Sequence, residues 1–153
     1  MSIDEIHNHK ILELIQSNRC DLSNANISEL DTNILNYQNI EELILSENKI
    51  TVLPKSIGKL SNLKWLVLSD NLLLKIPSSI CKLVNLEGLF LSGNNLSKIP
   101  KNIINLKKLR WLALSENENL VLDNAQEQWI EDLRLNGCKV LYSEKGEHYL
   151  ARE

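Results

Sequence analysis

Asn62–Val84 reads NLKWLVLSDNLLLKIPSSICKLV. The stretches on either side, Asn39–Ser61 (NIEELILSENKITVLPKSIGKLS) and Asn85–Lys107 (NLEGLFLSGNNLSKIPKNIINLK), repeat it at a period of 23 residues. A fourth copy opens at Lys108 as KLRWLALSEN and leaves the pattern after Asn117. One period upstream, Cys20–Gln38 (CDLSNANISELDTNILNYQ) is a degenerate copy. Self-similarity at a fixed spacing of this size marks a solenoid, with one coil per copy. It also accounts for the bias of the chain, which has 30 leucines and 19 asparagines in 153 residues.

The chemistry of one copy predicts the path of one coil. In LxxLxLSxN the leucines alternate over a short stretch, the period-two pattern of a strand with one buried face. The asparagines that close it (Asn48, Asn71, Asn94, Asn117) suit a turn, because an amide side chain can satisfy backbone groups locally. Pro54, Pro77 and Pro100 fix φ and lack an N–H, which bends the chain into an outer segment. There Ile57, Ile80 and Ile103, with Leu60, Leu83 and Leu106, recur three residues apart and point inward from a short helical or 3₁₀ turn. One coil cannot bury its own apolar face, so coils must stack with their strands parallel.

The pattern LxxLxLSxNxLxxLPxxIxxLxNL resembles the 23-residue class of leucine-rich repeat proteins, found in Ras-regulating scaffolds and many small bacterial proteins. The resemblance covers Cys20 to Leu122. It implies an α/β solenoid with a parallel sheet on its concave face, serving as a protein-binding surface in an adaptor, scaffold or regulator. The alternative is an inhibitor or immunity-type protein that blocks an enzyme or toxin with the same surface. The chain departs from the pattern at Ala25, in place of the turn asparagine, and at Asp31, in place of the proline. In the fourth copy Leu120 falls one residue late against Ile50, Leu73 and Leu96.

The ends read as caps on a single domain. Residues 1–18 are expected to hold a cap helix, opened by the capping box Ser2-Ile3-Asp4-Glu5 and lined by Ile3, Ile6, Ile11, Leu14 and Ile15. Repeats follow over 19–122. Residues 123–142 form a C-terminal cap: Asp123 with Gln126 is a second capping box, Trp129, Ile130 and Leu133 make an apolar stripe, and Gly137 ends the helix. Cys138–Tyr142 is expected to be a last strand, and 143–153 a polar tail.

Strand alternation also names the residues on the solvent side of the sheet. One column holds Glu42, Trp65, Gly88 and Trp111; a second holds Ile44, Val67, Phe90 and Ala113; a third is serine (Ser23, Ser46, Ser69, Ser92, Ser115). The expected partner site is therefore Glu42, Ile44, Trp65, Val67, Phe90 and Trp111, bordered by Ser69 and Ser92. Exposed aromatics on a soluble protein usually mark an interaction surface, unless the rings cover one another. Glu41, Glu42, Glu47, Asp70, Glu87 and Glu116 lie on or beside these strands against Lys64 and Arg110. Such an acidic rim steers a basic partner, and serves equally well as a solvated face.

Other function classes find little support. With a net charge of −3 the chain lacks the basic stripe of a nucleic-acid binder. Lysines 55, 59, 75, 82, 98, 101, 107 and 108 fall on outer segments, dispersed and without interleaved aromatics, so no nucleic-acid or membrane role is read from them. No apolar run reaches membrane-spanning length, and no basic start precedes an apolar stretch at the N-terminus. Cys20, Cys81 and Cys138 are an odd number without close spacing, which suits free thiols in the cytoplasm, although a mature secreted chain would look similar. His7 and His9 stand two apart, and His7 falls on the apolar stripe of the cap helix, so it is read as a core residue. No phosphate loop, GxSxG or HExxH occurs, so no catalytic residue, metal or cofactor is expected, and the chain is read as a monomer.

Overall fold

A computed structural model describes residues 17–142 of the chain. The N-terminal cap helix, His7, His9 and the tail expected from the sequence lie outside the described residues. Within them, β1 (Arg19–Asp21), β2 (Glu42–Ile44), β3 (Trp65–Val67), β4 (Gly88–Phe90), β5 (Trp111–Ala113) and β6 (Lys139–Leu141) form one sheet in sequence order. Every neighbouring pair is parallel, and β1 to β5 are in register at 23-residue spacing: Cys20, Leu43, Leu66, Leu89 and Leu112 align. Those five are at most 1% exposed, as are Leu45, Leu68, Leu91 and Leu114 two positions on.

Past each of β1 to β5 the chain turns through a left-handed residue: Asn24, Glu47, Asp70, Gly93 or Glu116, all at φ between 51° and 65°. The N–H groups of the first four still bond across coils, as from Glu47 to the Ser69 carbonyl at 3.0 Å and from Asp70 to Ser92 at 2.9 Å. The asparagine that follows is buried and fully used. Asn71 Nδ2 donates to the carbonyls of Leu45 (2.9 Å) and Leu68 (3.1 Å), while its Oδ1 accepts the N–H of Ile50 at 3.0 Å. Asn48, Asn94 and Asn117 repeat this arrangement. Each side chain thus satisfies backbone of its own coil and of the preceding one, where an unpaired buried group would cost about 1–3 kcal/mol.

The outer wall is a stack of 3₁₀ turns at Thr32–Asn36, Lys55–Lys59, Ser78–Lys82 and Lys101–Asn105. Pro54, Pro77 and Pro100 stand at the N-caps of the last three, each carbonyl accepting the N–H three residues on. The first coil closes despite its departures from the motif. At its N-cap Asp31 accepts the Asn33 N–H at 2.8 Å, replacing the proline's rigidity with a side-chain cap. Opposite Ala25, the loop is held by Asn48, whose Oδ1 takes the N–H groups of both Ala25 and Ile27.

The late Leu120 has a similarly local cause. Among the described residues no asparagine from a following coil reaches the fourth turn, and the Leu120 N–H bonds instead to the carbonyl of Asn117 at 3.0 Å. The extra residue makes that turn, and Leu120 still reaches the core at 6% exposure. The C-terminal cap follows the expected plan. Helix α1 (Asn124–Leu135) begins in a reciprocal capping box between Asp123 and Gln126. Buried Gln126 also donates to the carbonyls of Ile99 and Pro100, fastening the cap to the last 3₁₀ turn. Trp129, Ile130 and Leu133 are buried, and Gly137 at φ 84° takes the left-handed C′ position.

Candidate functional site

The strands place alternate side chains outside the core, and register then sorts them into rows. The first row runs Arg19, Glu42, Trp65, Gly88, Trp111, Lys139. The second runs Asp21, Ile44, Val67, Phe90, Ala113, Leu141. Most sheets of parallel strands are covered on both faces, so an apolar row on an uncovered face is unusual. Among the described residues no helix lies over these rows, since α1 packs against the Lys101–Asn105 turn and β6.

The expected residues come together, but not as a bare aromatic stripe. Glu42, Ile44, Trp65, Val67, Phe90, Ser69 and Ser92 are half-buried, and Trp111 is 36% exposed. Trp65 and Phe90 stack, with ring centroids 6.1 Å apart and planes 20° from parallel. The Trp65 ring lies over Gly88, where an added Cβ would stand 2.2 Å from Trp65 Cε3 and 2.9 Å from Phe90 Cε2. Gly88 is thus the notch that receives the ring, which is why it is buried on the open side of the sheet. Ala113, expected to face solvent, is only 3% exposed, because a single methyl is too short to emerge between Phe90 and Leu141. Ser92 Oγ and Ser115 Oγ are hydrogen-bonded at 2.9 Å, so that part of the serine column is used internally.

Two residues of the surface escaped the repeat pattern because they belong to the cap. β6 aligns with β5 at a spacing of 28 residues, from Trp111 to Lys139, so no 23-residue register predicts its contribution. Lys139 Nζ lies 4.4 Å from the Trp111 ring centroid, a cation–π contact that shields the indole. Leu141, 58% exposed, extends the second row to the edge of the sheet.

The acidic rim is more nearly neutral than the sequence suggests. Lys64 pairs with Glu41 at 2.7 Å, Arg19 with Glu42 at 3.1 Å, and Arg110 approaches Glu87 at 4.0 Å. The hydrogen bond and charge of Glu41 hold the Lys64 ammonium above the ordinary lysine range. Glu47, Asp70 and Glu116, all exposed at the left-handed positions, form no ion pair among the described residues. The Asp70 carboxylate leans towards the next coil, into the space a side chain at Gly93 would need.

The remaining chemistry is sparse. Cys20 lies in β1, Cys81 in the Ser78–Lys82 turn and Cys138 just before β6; all three are buried thiols outside any disulfide. Burial pushes the thiols of Cys81 and Cys138 up from their ordinary values, which keeps them protonated and unreactive. Among the described residues no group of three or more His, Cys, Asp or Glu could hold a metal ion. No described helix is long and apolar enough to cross a membrane.

A family model described as a leucine-rich repeat region matches residues 2–133. Among solved structures, an internalin of Listeria monocytogenes is 26% identical with a TM-score of 0.66, covering 85% of this chain. A leucine-rich repeat protein of Leptospira interrogans is 29% identical with a TM-score of 0.59, covering 76% of this chain. The chain spans 35% of the length of each. No curated protein sequence matches it.

Proposed function

The chain belongs to the leucine-rich repeat proteins, a family of protein-interaction modules, and from that membership we propose that it captures another protein on the concave, strand-bearing face. The observation that carries this reading is the uncovered apolar row Ile44, Val67, Phe90 and Leu141, flanked by Trp65 and Trp111. Ladders and core leucines hold these side chains in place before any partner arrives, so little conformational entropy is lost on binding. The unpaired carboxylates of Glu47, Asp70 and Glu116 beside the row suit a partner with basic groups at its rim. The same capture serves an adaptor or a regulator.

The test is a native pull-down with mass spectrometry, repeated with variants. Trp65→Ala with Trp111→Ala should keep its fold and lose the partner, with about 2 kcal/mol or more lost per ring as at other interface hot spots. Lys55→Ala with Lys101→Ala, on the opposite wall, should leave capture unchanged. Loss of capture in the lysine variant, with the tryptophan variant still folded and binding, would move the working surface to the other side.

A further inference from the structure

The lysines that look dispersed in the sequence all fall in the segments between strands, and four of them lie on the stacked outer 3₁₀ turns. The outer segments of the three central repeats, residues 50–63, 71–86 and 94–109, contain eight lysines and no aspartate, glutamate or arginine. All eight (Lys55, Lys59, Lys75, Lys82, Lys98, Lys101, Lys107 and Lys108) are exposed, and none has an ion-pair partner among the described residues. The 3₁₀ turns that carry Lys55, Lys59, Lys82 and Lys101 pack side by side, so residues far apart in sequence become neighbours. Carboxylates return at the margins: Glu29 and Asp31 in the first coil, Glu118 in the fourth, Asp123 and Glu127 in the C-terminal cap.

Exposed aliphatic side chains stand among these charges. Val52 is 56% exposed, Leu74 64% and Val84 49%, and each lies within three residues of a wall lysine. Of the aromatics with described side chains, Trp65, Phe90 and Trp111 stand on the strand face, Trp129 is buried in the cap, Tyr142 follows β6, and Tyr37, at the end of the Thr32–Asn36 turn, is half-buried against the core.

We propose that this lysine wall docks on an anionic lipid surface. Ammonium groups attract lipid phosphates and carboxylates as point charges, and aliphatic side chains between them can enter the headgroup boundary. Laterally mobile lipids can match a broad lattice of lysines, whereas a nucleic acid favours a groove, arginine forks or stacking rings. Docking by this wall leaves the strand face turned away from the lipid and open to a protein, so the two surfaces act independently.

The test is cosedimentation of the full chain with vesicles of phosphatidylserine and phosphatidylcholine, against phosphatidylcholine alone. Binding should require phosphatidylserine and fall steeply as salt is raised. The triple variant Lys59→Glu, Lys75→Glu, Lys82→Glu should bind at least about tenfold more weakly, with its melting temperature showing that it is folded. The Trp65→Ala, Trp111→Ala variant should sediment as the parent does, so failure of the strand-face reading leaves this result unaffected. Equal binding to neutral vesicles, no binding to anionic ones, or undiminished binding by the folded lysine variant would overturn the proposal. Duplex DNA retained at a salt concentration that releases the vesicles would overturn it in favour of a nucleic-acid surface.

Discussion

The strand wall and the outer wall are built from the same 23 residues, yet they differ in what holds them and in what they expose. On the strand wall each coil is tied to the next by a parallel ladder, a buried asparagine and leucines with no exposed surface. On the outer wall the backbone closes mostly within single 3₁₀ turns, and side chains between coils do the packing. Rows on the strand wall therefore mix charge, indole and aliphatic groups at fixed positions, while the outer wall repeats one charge along its turns. The difference teaches that period alone sets which residues are neighbours, and that the backbone decides how much each neighbour matters.

Substitutions sharpen this contrast, and the strand wall should be the sensitive side. Asn71→Ala orphans the Ile50 N–H and leaves the Leu45 carbonyl with Asn48 as its side-chain donor, and should cost about 3 kcal/mol in urea unfolding. Gly88→Val drives a side chain into the Trp65 ring, and should cost about 1–3 kcal/mol while abolishing the near-ultraviolet circular dichroism of the Trp65–Phe90 stack. On the outer wall, Asp31→Ala removes one cap from a short turn and should cost about 1 kcal/mol. Glu41→Gln breaks an exposed ion pair with Lys64, and the melting midpoint should stay within experimental error. An Asp31→Ala effect as large as that of Asn71→Ala would break the comparison.

Much of the fold was legible in the residues. The alternating leucines located β2 to β5, the asparagines and prolines located both bends, and Asp123, Gln126 and Gly137 bounded α1. These features are local, and local chemistry decides them. What the sequence concealed depends on contact between coils. Trp65 bending over Gly88, Arg19 reaching Glu42 and the methyl of Ala113 disappearing between its neighbours follow from side-chain lean across the register, which no single copy reveals. Lys139 and Leu141 were concealed for another reason: the cap joins the sheet at its own spacing. The lysines were legible on the outer segments, but their adjacency from coil to coil follows only from the stacking of the turns.

The asparagine ladder also has a direction. Oδ1 of Asn48, Asn71, Asn94 and Asn117 each accepts an N–H from the coil before its own. A coil is thus finished by its successor. On a chain emerging from the ribosome N-terminus first, every newly made loop waits with an open donor until another 21 residues have followed. The last loop ends the wait by closing on its own backbone at Asn117, so the array carries its own stop signal in the one turn that breaks the period.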